Sequence, residues 1–238
     1  MPRDGFGWQG TRGPGSWRYW SATQWLIVIN IAIFVLDLLT QGRIFTEWGC
    51  FQVREAVWRL QLWRFITFQF LHANTSHLLF NMIALYFFGP FVEGLLGKTR
   101  YVCFYLLCGC AGAAMLIVLS IFGIAYVSQF TILVGASAGI LGIIAAAARI
   151  SPDTIATLWL ILPLRLVTLA AIFVGIALVT VLTSGPNAGG EAAHLGGAAV
   201  GYFLINPARR LRLRAKPRTR FWRPGDPADH IIREEFRR

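Results

Sequence analysis

The sequence predicts an all-α fold: a polytopic membrane helical bundle of six transmembrane helices, with a first outer loop lying at the membrane interface. Three observations carry that expectation. Of 238 residues, 56% are hydrophobic and only 14% charged, a balance far too apolar for an ordinary soluble domain. The apolar residues gather into six runs, each of roughly the 20 residues that cross a bilayer core. Charge is segregated as well: from Asn206 onward 11 Lys and Arg stand against 4 Asp and Glu, a net of +7 out of the chain's +11. A blocky basic tail beside apolar runs fits a cytoplasmic segment facing anionic lipid, so membrane lipid and not nucleic acid is the expected partner.

Taken in order, residues 1–21 are rich in Gly, Trp and Arg and form a cytoplasmic N-terminal segment, with Trp17, Tyr19 and Trp20 suited to the headgroup layer. No signal-peptide cleavage pattern precedes the first apolar run, 22–39, so that run is expected to be kept as a span. Residues 41–75 interleave Arg43, Glu47, Arg54, Glu55, Arg59 and Arg64 with Trp, Phe and Leu. That mixture is too charged to span and too apolar for a free loop, which predicts a structured interfacial segment. Its arginines are expected to pair with their own acids and with headgroups.

The second span covers 77–96 and is closed by Gly94, Gly97, Lys98 and Arg100; the third covers 101–121. An uncharged link, 122–134, leads to the fourth, from Ser137 to about Ala148. After the turn Arg149–Asp153 a long fifth span, 156–182, is expected. Beyond Ser184-Gly185-Pro186-Asn187 comes a Gly/Ala-rich sixth, 190–205. The expected organisation is therefore 1–21, a six-helix membrane domain over 22–205, and a basic tail over 206–238. Lys and Arg cluster at the N-terminus, at 98–100, at 149–165 and in the tail, whereas the links 122–134 and 183–191 carry none. Positive-inside then puts both termini in the cytoplasm. The four cysteines show no paired metal spacing, and Cys103, Cys108 and Cys110 in one apolar run are small packing residues.

Polar groups inside apolar runs are the functional candidates. Ser137 lies in Val134-Gly135-Ala136-Ser137-Ala138-Gly139-Ile140, and a buried hydroxyl needs a partner, since leaving it unpaired costs about 1–3 kcal/mol. His77 and Asn81, four apart, share one helix face and can both donate hydrogen bonds, as an oxyanion hole requires; a polar clasp between helices is the alternative. His194 belongs to a helix with a stripe of small residues, Gly189, Ala193, Gly197 and Gly201. The fourth span has its own, Gly135, Ser137, Gly139, Gly142 and Ala146. Two small-faced helices approach closely enough for a hydroxyl–imidazole hydrogen bond. Glu191, one turn before His194, is expected to be a solvated residue at the helix start, favoured there by the helix dipole, and not a third member of the pair.

With these residues in hand, the chain resembles the rhomboid family of intramembrane serine proteases over residues 22 to about 205. The motifs that carry the resemblance are Trp63-Arg64, His72-x4-His77-x3-Asn81, Glu93-x3-Gly97-x2-Arg100, Gly135-x-Ser137, and Ala193-His194-x-Gly196-Gly197. The resemblance implies a Ser137 nucleophile and a His194 general base without an acidic third member. It implies an oxyanion hole of His77, Asn81 and the Ser137 amide. It assigns supporting roles to Gly135, His72, Trp63 and Arg64, and to Glu93 and Arg100 as a structural polar pair. It further implies cleavage of single-span or polytopic membrane-protein substrates through an acyl-enzyme, without cofactor or metal, with lateral entry past the fifth span. A bacterial inner membrane is the expected location. Two positions depart from the family pattern: Ala138 where many relatives have Gly, and Leu141 where relatives often carry a Tyr or Phe that packs on the histidine. Without that ring, His194 must be oriented by something else. A catalytically inactive relative acting as a binding or quality-control scaffold is the alternative, and it predicts loss of the serine or histidine, both of which are present.

Overall fold

The computed structural model describes residues 20–158 and 162–206; Trp17, Tyr19 and the basic tail past Asn206 lie outside them. Helix α1 (Ala22–Leu39) opens with a capping box: the Ser21 hydroxyl accepts the Gln24 N–H at 3.1 Å and Gln24 Oε1 accepts the Ser21 N–H at 2.9 Å. The next two free amides, Ala22 and Thr23, donate to the Glu93 carboxylate at 2.7 and 2.9 Å, and the Thr23 hydroxyl adds a third bond at 2.7 Å. Glu93 is thus held by the helix start, where the backbone donors that the capping box leaves free need an acceptor and the dipole favours an anion. At the other end, Asp37 accepts the Thr46 N–H at 2.9 Å and its hydroxyl at 2.6 Å, tying α1 to α2 (Phe45–Gly49).

The 41–75 segment is structured. It continues through a π-helical turn, Arg54–Trp58, then α3 (Arg64–Thr67) and a 3-10 turn, Phe68–Phe70. Phe51, Val53, Ala56 and Phe68 are buried, while Trp48, Trp58, Leu60 and Leu62 are exposed. The arginines divide their roles. Arg59 and Arg54 pair with Glu55 at 3.1 and 3.9 Å. Arg64, buried, binds no acid: it donates to Gln61 Oε1 at 2.6 Å, to the Glu47 carbonyl at 2.9 Å and to the Cys50 carbonyl. Trp63 Nε1 donates to the Trp48 carbonyl at 3.0 Å, so the pair together pins α2. An antiparallel bridge, Phe51 with Leu133, joins this segment to the link before Ser137.

Asn74 caps α4 (Thr75–Leu96) by accepting the His77 N–H at 2.8 Å. Gly97, with φ +77°, separates α4 from α5 (Lys98–Phe122). Helix α6 (Ser137–Ile150) is central: all but Ser137 and Arg149 of its 14 residues are buried, and α4, α5, α7 (Leu166–Leu182) and α8 (Ala188–Leu204) pack around it. The expected small stripes meet here. Gly197 and Gly201 of α8 lie against the carbonyls of Ala138 and Gly142, with no room for a side chain. The extra methyl of Ala138 is received by Gly112 of α5, where a built Cβ would stand 2.7 Å from it.

The fifth apolar run differs from expectation. It is not one helix over 156–182: Ile155–Leu158 (β1) and Leu162–Arg165 (β2) pair antiparallel, Thr157 opposite Pro163, and α7 starts only at Leu166. Pro163 has no N–H to give a helix and disfavours helical backbone at Leu162, so the helix forms after it. Among the described residues α1, α4 and α5 are long and apolar enough to cross a membrane, and α6 and α7 are shorter apolar helices. Their outward faces stay apolar: Val35 and Leu36 on α1, Phe80 and Phe87 on α4, and Ile176 and Val179 on α7 are exposed. Such a surface suits lipid and not water.

Candidate active site

The backbone places Ser137 at the first turn of α6, where helix geometry leaves amide N–H groups without intrahelical partners. No side chain caps that end, because Ala136 holds the capping position. Two residues earlier, Gly135 has φ +128°, and its N–H donates to the Phe68 carbonyl at 2.9 Å. A Cβ there would stand 2.7 Å from His77 Cε1 and 2.8 Å from its Nε2. Gly135 is glycine for two reasons: the backbone turns through a region side chains avoid, and the His77 ring occupies the space.

The close approach of α6 and α8 brings the two catalytic candidates together: Ser137 Oγ lies 2.7 Å from His194 Nε2. The other ring nitrogen, Nδ1, is 2.9 Å from Glu191 Oε2. The expectation for Glu191 is therefore corrected. It is not a solvated residue; its side chain is 21% exposed, like that of His194 at 22%, and its carboxylate is engaged by the imidazole. The dipole argument had placed it properly at the helix start, but the i, i+3 spacing turns it onto the histidine's face.

His77 and Asn81 do share a face, and both line the same cavity as Ser137 and His194. The Ala73 N–H points at His77 Nδ1 at 3.5 Å, which favours the tautomer carrying its proton on Nε2, beside Gly135. Asn81 is buried, and its side-chain NH2 has no hydrogen-bond partner among the described residues. A native buried donor without a partner is uncommon and costs about 1–3 kcal/mol. His72 lies behind this pair, buried and edge-on to His77 with ring centroids 5.1 Å apart, and does not line the cavity. Burial, reinforced by the neighbouring His77, pushes its pKa down to about 4.

Trp63 and Arg64 lie in the 41–75 segment as staples of α2 and do not line the cavity that holds the serine. Glu93 and Arg100 are not joined: Glu93 caps α1 and Arg100 is exposed. The cavity has a volume of about 1110 Å³ and is lined by polar groups, among them Asn74, Ser137, Glu191 and His194, and by apolar ones, among them Phe87, Phe91, Phe173 and Ile176. It runs between α4 and α7, which make little contact with each other. Leu141 is among its lining residues. Among the described residues no three His, Cys, Asp or Glu side chains converge as metal ligands. Sequence reasoning missed the Ala73–His77 contact, since a backbone amide leaves no motif to find.

Comparison with known proteins shows the family of the chain. The family model described as "Rhomboid domain" matches residues 59–210. The chain is similar to the rhomboid protease GlpG of Yersinia pestis (strain Pestoides F), 31% identical over 75 residues, 32% of this chain and 27% of the relative. It is also similar to the putative rhomboid protease YdcA of Bacillus subtilis (strain 168), 46% identical over 43 residues, 18% of this chain and 22% of the relative. These alignments span about a quarter of the curated relatives' length. The family match covers well over half of the chain and takes in α4 to α8, every helix that contributes a side chain to the cavity; the chain is an integral membrane protein and belongs to the rhomboid family.

Proposed function

We propose that this protein is an intramembrane serine endopeptidase that cleaves transmembrane segments of other membrane proteins. The observation that carries the reading is the 2.7 Å contact between Ser137 Oγ and His194 Nε2 inside a cavity that opens between two apolar helices. In this mechanism Ser137 Oγ attacks the scissile carbonyl carbon and His194 Nε2 takes its proton. The imidazolium then protonates the leaving amine, and water hydrolyses the resulting acyl-enzyme with His194 again as base.

The developing oxyanion is received by His77 Nε2–H, the Asn81 NH2 and the free amide of Ser137 at the α6 terminus. The place of Asn81 supports this role: it lies on the helix that carries His77 and lines the same cavity as Ser137. One such donor is worth on the order of 2.7–4 kcal/mol in the transition state. Gly135 keeps the space that lets His77 approach, and His72 backs His77 without touching substrate.

Six membrane crossings, α1 and α4 to α8, are part of the proposal, with both termini in the cytoplasm of a bacterial cell, 1–21 and 206–238 as terminal segments, and 41–75 at the outer interface. In it α6 is a short crossing: 14 residues rise about 21 Å, roughly 9 Å less than the hydrocarbon thickness, and the chain before Ser137 makes up the rest. The serine then sits below the surface at the end of a non-helical loop, an arrangement a membrane tolerates where the loop lines a polar cavity. Substrate helices enter from lipid between α4 and α7.

Labelling with a serine-directed fluorophosphonate tests the reading. Wild-type protein in detergent is expected to label, and Ser137→Ala and His194→Ala to lose the label while keeping wild-type thermal stability. A wild type that never labels and never cleaves a reconstituted single-span substrate overturns it.

A further inference from the structure

We propose that Glu191 is a positioning residue for the Ser137–His194 pair, its carboxylate accepting the Nδ1–H of His194 and so holding the imidazole with a bare Nε2 toward Ser137 Oγ. This rests on the serine-protease reading above and adds a component that the family resemblance does not supply.

The two hydrogen bonds run in line through one ring: Glu191 Oε2 to Nδ1 at 2.9 Å and Nε2 to Ser137 Oγ at 2.7 Å. A neutral imidazole carries one proton, and only the Nδ1–H tautomer leaves Nε2 free to act as a base. Left alone, the ring can put its proton on Nε2 and donate to the serine, which is an unreactive arrangement. A carboxylate has no proton to give at Nδ1 and accepts only, so it selects the reactive tautomer. It also fixes the ring plane, which Leu141 cannot do by stacking.

The site of Glu191 is built for an anion. It stands in the first turn of α8, its own N–H bonded to the Asn187 carbonyl at 3.0 Å, and near the positive end of the helix. Its side chain is about one-fifth exposed, so the interaction is only partly screened by water. Around the imidazole the titratable groups are Glu191 from its own helix, His77 from α4 and the Ser137 hydroxyl from α6. The α5 residues facing that part of α8 are Ala111, Gly112 and Met115, and α7 presents Phe173 and Ile176 to the cavity. Glu191 is thus the anion that faces His194 among the described residues.

During attack the Ser137 Oγ–H proton passes to Nε2 as the Oγ–carbon bond forms. The imidazolium then bears both N–H groups, Nδ1–H still bonded to Glu191, whose carboxylate stays unprotonated throughout. When the amine leaves, the Nε2 proton goes with it and the starting tautomer is restored.

The test measures fluorophosphonate labelling rate, and kcat and KM for a reconstituted transmembrane substrate, against pH. Wild type is compared with Glu191→Ala, the isosteric Glu191→Gln and Glu191→Asp. Glu191→Ala is expected to lower labelling rate and kcat at least about tenfold with KM unchanged, less than the ~10⁴-fold seen where a fully buried triad carboxylate is neutralised. Glu191→Gln keeps an acceptor oxygen but not the charge, so it retains more activity than Glu191→Ala. Thermal unfolding of each variant separates folding loss from loss of rate. A labelled wild type beside a Glu191→Ala protein with wild-type rate and pH profile overturns the proposal and leaves the protease reading standing. A wild type that does not label overturns both.

Discussion

Gly135 offers a quantitative check on how His77 is held. In Gly135→Ala the new methyl meets two atoms of the His77 ring at 2.7 and 2.8 Å, about 0.7 Å inside ordinary carbon contact. The backbone must also keep φ +128° with a side chain attached, at a cost of about 1–3 kcal/mol. The cheapest relief is rotation of the ring, which is free on its cavity side. A displacement of that size moves Nε2 out of reach of an oxyanion, and losing one donor lowers kcat by about 10²–10³. The assay is kcat for a reconstituted substrate per folded molecule, with thermal unfolding alongside. Gly123→Ala is the control. That residue also has positive φ, +62°, but a Cβ there meets nothing within 4 Å, so it loses about 1 kcal/mol of stability and no activity. A Gly135→Ala protein that keeps wild-type kcat, whatever its melting temperature, refutes the claim that this glycine exists to seat His77.

Four further outcomes follow from the same structure. Arg64→Ala leaves the carbonyls of Glu47 and Cys50 and the Gln61 oxygen without their donor in a buried site, and is expected to lower stability by about 3 kcal/mol or more by thermal unfolding; Arg64→Lys recovers little, since an ammonium cannot reproduce the guanidinium fork. Glu93→Gln removes one of the two carboxylate oxygens that cap α1 and should cost about 1–2 kcal/mol while activity per folded molecule stays at the wild-type level. His72 is neutral when folded down to about pH 4 but titrates near 6.5 when unfolded, so the unfolded chain binds the extra proton first. Stability is therefore expected to fall between pH 6.5 and 4, by at most about 3 kcal/mol, and His72→Leu should flatten that part of the profile. Finally, a bifunctional cross-link between Phe87→Cys on α4 and Ile176→Cys on α7, with the exposed Cys103 removed, should stop cleavage of a transmembrane substrate yet spare fluorophosphonate labelling; cleavage that continues places entry elsewhere.

Much of this molecule was legible before any coordinates. Among the described residues, apolar run lengths locate α1, α4, α5, α6 and α8 to within a few residues, because a membrane segment must satisfy its backbone internally and advertises its length as hydrophobicity. The small stripes on two of them predicted the crossing that joins Ser137 to His194, since only glycine and alanine let backbones touch. Other features were hidden for physical reasons. The run 155–165 is as apolar as a span, and hydropathy cannot separate a strand pair from a helix; the backbone limits of Pro163 decided it. The family resemblance implies a polar pair of Glu93 with Arg100, but the carboxylate instead accepts the free amides of the α1 start, which lies far away in sequence. Glu191 shows the division most clearly. Its spacing from His194 was visible in the sequence, and so was the helix dipole that favours a solvated acid there. Which of these ruled depended on whether water reached the carboxylate, and that is set by how α8 packs on α6, a property of the assembled helices that no local pattern of residues contains.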